Sequence, residues 1–489
     1  MLVIGSAQAV NIVVSIIRVK VVALLLGPTG IGVMGVYSSL KDMAVQAAGL
    51  GMGSSGVREI AVVRDEEERL SLIRHLLFVA HLIAGTLALM VIWLMRVPIS
   101  IWLFDDATRA SEVALVGLVV LLGLLATSQL ALLQGLRRID ELGKVTVTAV
   151  LASTATGLLM VWWLDEAGLI WLLMFQPLAT VTVAAYFTRR LPKRQLNHWT
   201  PLEMWHAWTP MAKLGLSFML GGLATTGTVL IVRGTITQEL GLEATGHFTA
   251  AWAITITYVG FLLSAMSADY YPRLTEVIQN RPAAIRLIND QSQLGLAIGG
   301  PILLLLIGWS HWVIVLLYTE EFTPAVTLLQ WQLVGNVFKL ASWPLSYSIV
   351  AAGRAKTFFF LEVVFNVVFI ALVFLFLPSF GLQITGIAFL VAYIVYFVCA
   401  WLLARNLHAF TWDPVSRLVL GVHAVLAFAL LLVAFTFPIA TALVAPVLAV
   451  STGLFGLRLV LIKIGPEGRL SQRLTRAYAF IGWPINGTS

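Results

Sequence analysis

Five cations stand inside stretches of this chain that are otherwise apolar: Arg18, Lys20, Lys41, Arg233 and Lys339. A charge at the centre of a bilayer costs about 2.5–3.5 kcal/mol even on insertion scales, so a span that keeps one uses it on a partner, a cavity or a ligand. Arginine grips a phosphate through parallel N–H donors and lysine meets it as a point charge. Together the five describe a receptor for an anionic headgroup such as a pyrophosphate. Each also has a plainer explanation. Arg18, Lys20 and Arg233 lie toward span ends, where long basic side chains snorkel to the interface. Lys41 has acids to pair with, either Asp42 or Glu362 from another span, although neighbours in a helix point about 100° apart and face each other poorly. Lys339 has no acid near it in its own span. Asp42 and Glu362 are the candidates for ion coupling or for an ion pair. Arg58, Asp269 and Arg273, at the ends of spans, are candidates for a gate.

Other chemistry is poorly supplied. Catalysis would need paired carboxylates or a nucleophile with its base, and metal binding a ligand cluster; neither is present, so no catalytic and no metal residues are expected. The single cysteine, Cys399, excludes a disulfide framework. Gln46, Gln129, Gln134, Gln330, Gln332 and Asn336 are able to line a sugar path, but in membranes such side chains more often tie helices together. His81 and His247 read as core or interface histidines, and the tryptophans near span ends as an interfacial belt. The Asn486-Gly487-Thr488 sequon carries no weight.

These side chains need helices to hold them. Of 489 residues, 59% are hydrophobic and 11% charged, with a mean hydropathy of +0.93; a soluble domain has roughly 25% charged residues. The fold class is an all-α polytopic membrane protein without a soluble domain. With about 20 apolar residues per span, fourteen spans fall near 3–26, 31–57, 75–95, 112–134, 145–164, 168–188, 214–237, 247–269, 292–317, 326–350, 357–378, 383–404, 418–438 and 440–461. The opening MLVIGSAQAVNIVV has no basic n-region and no small-residue cleavage site, and reads as the first span.

The basic residues set the orientation. One family of loops, within 58–74, 137–144, 189–213, 273–286, 354–356, 405–417 and 458–476, holds 24 of the 31. The opposite side has Arg96, Arg109 and Arg233, so the first set and both termini are expected in the cytoplasm. The net charge of +7 therefore reflects topology, and no nucleic-acid partner is expected. In the tail, RLSQRLTRAYAFIGW repeats arginine at i, i+4 and i+7, the pattern of an interfacial helix on anionic membrane lipid.

The chain also echoes itself. LGPTGIGVMGVYSSL (26–40) aligns with LGLEATGHFTAAWAI (240–254), Gly27 on Gly241 and Gly32 on Gly246. LLQGLRR (132–138) aligns with VAAGRAK (350–356), and Arg58 with Arg273. Repeats that begin at spans 1 and 7 share an orientation, which predicts two parallel six-helix lobes around a central cavity plus two C-terminal helices. The expected divisions are a lobe over 1–190, a cytoplasmic linker over 191–213, a lobe over 214–405, a helix pair over 418–461 and a basic tail over 462–489. In this register Val19 falls on Arg233, so Arg18 and Lys20 flank its counterpart, with Lys20 roughly 10 Å in from Gly27.

A basic residue in span 1, then LGPTGIG and a tyrosine-bearing second span, with QGLRR and GRAK after spans 4 and 10, resembles the polysaccharide-exporter family of lipid-linked oligosaccharide flippases. That family includes the bacterial O-antigen translocases and shares a superfamily with the multidrug and toxin extruders. The likeness covers most of spans 1–12. It implies a flippase in the bacterial cytoplasmic (inner) membrane that moves an undecaprenyl-pyrophosphate-linked glycan, an O-antigen or exopolysaccharide repeat unit, from the inner to the outer leaflet. Alternating access and a cationic cavity come with it. So do a polysaccharide polymerase and chain-length machinery as partners, and no cofactor; coupling to a proton or sodium gradient stays open. Fourteen spans equally resemble the lipid II flippases. A cation-coupled multidrug extruder needs carboxylates in its N-terminal lobe, where spans 1 and 2 offer cations and only Asp42. A membrane polymerase needs a long outer catalytic loop, which this chain lacks.

Overall fold

The computed structural model describes residues 2–191, 199–464 and 469–480, and within them every regular element is helical. Lys193 and Arg194 of the expected linker, residues 465–468 and 481–489 of the tail, and the Asn486 sequon lie outside the described residues. The helices are α1 (Leu2–Ala48), α2 (Met52–Val62), α3 (Glu67–Leu94), α4 (Arg96–Phe104), α5 (Ala110–Gly135), α6 (Ile139–Leu164), α7 (Gly168–Thr188), α8 (Pro201–Val277), α9 (Arg281–Leu317), α10 (Ala325–Ala351), α11 (Ala355–Phe380), α12 (Ile384–His408), α13 (Pro414–Thr436), α14 (Pro438–Ile464) and α15 (Arg469–Phe480).

Nine stretches of the described residues are long and apolar enough to cross a bilayer. Four of them run to 43, 50, 50 and 54 residues, about twice what one crossing needs, and each breaks near its middle. Breaks fall at Gly27 in α1, at Asp165–Ala167 between α6 and α7, at Gly241 in α8 and at Gly381–Gln383 between α11 and α12. Each lies where the sequence places a short outer turn.

The breaks repeat in kind. Gly27 (φ 60°, ψ −160°) is matched by Gly241 (φ 84°, ψ 176°), a region that glycine alone enters freely. Asp165 (φ 51°, ψ −129°) is matched by Gly381 (φ 58°, ψ −155°). On the opposite side Arg137 (φ 55°) is matched by Gly353 (φ 74°). The offsets are 214, 216 and 216 residues, so the echo in the sequence is also an echo in backbone conformation.

Packing follows the same period. In the chain's first compact unit, Met1–Thr249 with Leu317–Phe322, α7 packs on α5 and α6; in the second, Ala250–Leu316 with Thr323–Ser489, α12 packs on α10 and α11. One expected span ends early. The second was drawn over 31–57, but α1 stops at Ala48, Leu50 and Gly51 take positive φ (47° and 62°), and α2 starts afresh. The glycines of GLGMGSSG thus both break the helix and let backbones touch: a Cβ on Gly51 would strike the Gly215 carbonyl, and one on Gly215 the Leu50 carbonyl.

In the tail, α15 is docked on α14 by Tyr478, whose hydroxyl donates to the Leu454 carbonyl at 2.6 Å, while Arg473 and Arg476 stay exposed.

Candidate anion-binding site

The site in the first unit is built on the two bent helices. Past Gly27, the α1 backbone meets the α8 backbone past Gly241 so closely that no side chain fits between them. A Cβ on Gly32 would run into the Leu242 carbonyl, and one on Gly246 into the Pro28 carbonyl. Gly32 and Gly246 are 214 apart, as are Pro28 and Leu242, so the contact is reciprocal. Gly35 faces Thr249, its own counterpart in the repeat, with its Cβ position 3.3 Å from the Thr249 Cβ. Small residues permit such approach in a membrane, where dispersion and backbone proximity hold helices together.

Arg233 lies below this contact on α8. It is 8% exposed, and its Nη1 donates to the Gly35 carbonyl at 2.8 Å and to Ser39 Oγ at 2.5 Å. Both acceptors are neutral, and Nε has no partner among the described residues. Asp42 and Tyr318 lie within its electrostatic reach. Lys20 comes to the same neighbourhood from α1, donating to the Tyr318 carbonyl. Lys41 and Asp42, one and a half turns or less from Ser39 on α1, pair at 3.0 Å. The structure therefore sets Arg233 within reach of Asp42, which pairs with Lys41, and brings Lys20 to Tyr318, with the Glu321 carboxylate beside Gly27 as a second acid in this region.

Arg18 does not join them. Its Nη1 donates to Gln176 Oε1 on α7 at 2.8 Å. Residues two apart on a helix stand about 200° apart, so Arg18 and Lys20, expected to act as a pair, face different neighbours. Of the two acids offered to Lys41 by the sequence, Asp42 is the one it pairs with. Their Cβ directions do diverge, but flexible side chains with partial solvent exposure close the gap.

Lys339 belongs to a separate constellation in the second unit. Its Nζ stands 5.2 Å from the centroid of the Tyr393 ring, a cation–π contact, and Glu362 is the acid in its electrostatic reach. Glu362 Oε1 accepts from the Tyr396 hydroxyl at 2.6 Å. Tyr393 packs on Phe365 and Phe389, with ring centroids 4.4 and 4.8 Å away. Sequence reasoning missed Tyr393 and Tyr396, which stand one turn apart in an apolar span (AYIVYF) and so share the face toward α10 and α11. It also missed the ion pair Arg109–Glu166 at 2.6 Å beside Tyr37.

The remaining candidates are placed more simply. Asp269 and Arg273 pair at 2.9 Å across one turn and are well exposed; Arg58 is exposed on α2. Most of the candidate sugar-path amides tie helices instead: Gln46 donates to the Phe218 and Met219 carbonyls, Gln330 to the Ile307 carbonyl, and Gln332 accepts from Thr255. His81 and His247 bind the Leu77 and Glu321 carbonyls. No cluster of metal-ligating side chains occurs among the described residues.

Residues 21–327, more than half of the chain, match the model of a family described as polysaccharide biosynthesis protein. The chain belongs to that family. It is 22% identical over 402 residues, 80% of its own length and 94% of the relative's, to a protein named lipid III flippase from Escherichia coli (strain K12), and equally to one from Shigella flexneri. Among solved structures, the lipid II flippase MurJ in an inward closed conformation superposes with a TM-score of 0.72 at 13% identity, covering 95% of this chain and 100% of that one. An inward-facing multidrug resistance MATE transporter of the MOP superfamily gives 0.63 at 16% identity, covering 81% and 95%. The chain thus shares its fold with that flippase and that transporter, and the sequence relatives are named flippases, not enzymes.

Proposed function

We propose that the chain is a flippase for an undecaprenyl-pyrophosphate-linked oligosaccharide, an O-antigen or exopolysaccharide repeat unit, which it carries from the cytoplasmic to the periplasmic leaflet of the bacterial inner membrane by alternating access. The observation that carries this reading is Arg233, buried in a membrane-crossing helix on neutral acceptors, with Lys20, Lys41 and Asp42 on the facing helix α1. Arg233 donates to a carbonyl and a hydroxyl, both neutral oxygens, so a diphosphate is a stronger partner for its guanidinium. The resemblance to the lipid III flippases points to the same class of cargo.

The orientation follows the basic loops, with both termini in the cytoplasm. Six-helix lobes over 1–190 and 214–405, joined by a linker over 191–213 and followed by a helix pair over 418–461 and a basic tail over 462–489, complete the proposed organisation. Arg18, tied from α1 to Gln176 on α7, supports the first lobe and has less part in binding, while Arg58 and the Asp269–Arg273 pair serve the cytoplasmic gate. Asp42 and Glu362 are the acids on which coupling to a proton or sodium gradient would act. Polymerase and chain-length proteins receive the product at the outer leaflet.

The test is export of surface polysaccharide from a host deleted for its own exporter. The Lys20→Gln/Arg233→Gln double variant inserts at normal level and loses export by 100-fold or more, since two charge-assisted contacts of about 1.5–3 kcal/mol each are removed. Arg18→Gln keeps most of it. Full export by the double variant sinks the anion-site reading. Drug efflux with no glycan export would move the chain to the extruder class.

A further inference from the structure

A cavity of about 450 Å³ opens in the first unit between α3, α5 and α7. It lies at the ends of these helices where the chain collects its basic residues. Arg74, His75 and Ser71 face it from α3, Ser128 and Gln129 from α5, and Arg189 from the end of α7. No acidic side chain is among its described lining residues. Arg74 Nη2 donates to the Thr188 carbonyl at 2.7 Å, which holds the guanidinium in place. Its Nη1 is buried and has no hydrogen-bond partner among the described residues. The Thr188 hydroxyl donates to Gln129 Oε1 at 2.6 Å, which fixes the floor.

One turn further from the helix ends the lining changes character. Phe78, Leu125, Val181 and Ala185 continue the same walls into the membrane-crossing part of each helix. One cavity thus has a cationic end and an apolar wall. Its complement is an amphiphile with a phosphate at one end, and at the basic end of a membrane protein such molecules are anionic lipids.

We propose that this cavity is a binding site for the phosphate of an anionic glycerophospholipid, held by Arg74 and Arg189 with its acyl chain along Phe78, Leu125 and Val181. The site is separate from the Lys20–Arg233 grouping and does not depend on the cargo assigned there. An exposed basic patch would attract any anionic surface loosely. A fixed guanidinium with an unpartnered nitrogen inside a cavity selects one phosphate.

The experiment uses the full chain in nanodiscs of phosphatidylcholine and measures binding of spin-labelled phosphatidylglycerol. The expected result is saturable binding to the wild type, about tenfold weaker in Arg189→Gln and weaker again in Arg74→Gln/Arg189→Gln. Arg137→Gln, at the same end but outside the cavity, binds as the wild type does. Arg189→Gln leaves the Arg74–Thr188 bond intact, so its loss is not a folding defect, and its thermal midpoint in phosphatidylcholine is expected to be unchanged. Equal binding by all variants, or none by the wild type, overturns the proposal. Displacement of the probe by millimolar inorganic phosphate but not by unlabelled phosphatidylglycerol would assign the pocket to free phosphate and overturn the lipid.

Discussion

Lys339 keeps company with Glu362, Tyr393 and Tyr396 in a polar island among phenylalanines, and each member depends on the others. Removing the acid leaves a cation in an apolar setting, which is worse than removing both. Glu362→Gln is therefore expected to lower the thermal midpoint of the purified protein, and Lys339→Met/Glu362→Gln to recover part of the loss. The coupling between the two is expected at about 1 kcal/mol or more in a double-mutant cycle; strictly additive losses would mean the groups do not interact. The sequence made every one of the charged candidates visible, because a lone charge in an apolar run is conspicuous. It did not show which of them meet. Lys41 pairs with its own neighbour, Glu362 serves Lys339, and Arg18 turns to Gln176. The Lys41–Asp42 pair lies within one span, but the partners of Lys339 and Arg18 come from other spans and are chosen by helix rotation.

At the scale of elements, the α1–α8 contact depends on two glycines with equivalent roles. Gly32→Val and Gly246→Val each place a side chain against a carbonyl of the opposite helix, so they are expected to abolish polysaccharide export to a similar degree. Gly227→Val, on α8 with open space around it, is expected to leave export within about twofold, since surface substitutions away from packed contacts shift stability little. A mild effect of Gly32→Val beside a severe one of Gly246→Val would show that the contact is not reciprocal. The glycines at the bends were legible from LGPTG and LGLEA, and most of the spans from hydropathy alone, although α10, expected to span over 326–350, is not among the nine apolar stretches. The early stop of α1 at Ala48 was not, because hydropathy runs on through GLGMG while the break is made by the positive φ of Leu50 and Gly51.

For the whole molecule, the alternating access proposed above would have the contact between α1 and α8 part during the cycle. With Cβ positions 3.3 Å apart at Gly35 and Thr249, close to the spacing a disulfide needs, Gly35→Cys/Thr249→Cys in a Cys399→Ser background is expected to cross-link on oxidation. Export stops in the oxidised protein and returns on reduction. Undiminished export while cross-linked would remove this contact from the transport cycle. The reciprocity of that contact has a further meaning. A surface in which Gly32 meets Leu242 while Gly246 meets Pro28 is what two identical chains form about a two-fold axis. Here it is kept inside one polypeptide, as a half-length ancestor that paired with itself would leave it after gene duplication and fusion. Fusion frees the halves to diverge: Val19 and Arg233 stand 214 residues apart, in the register of the paired glycines, and only one of them carries a charge.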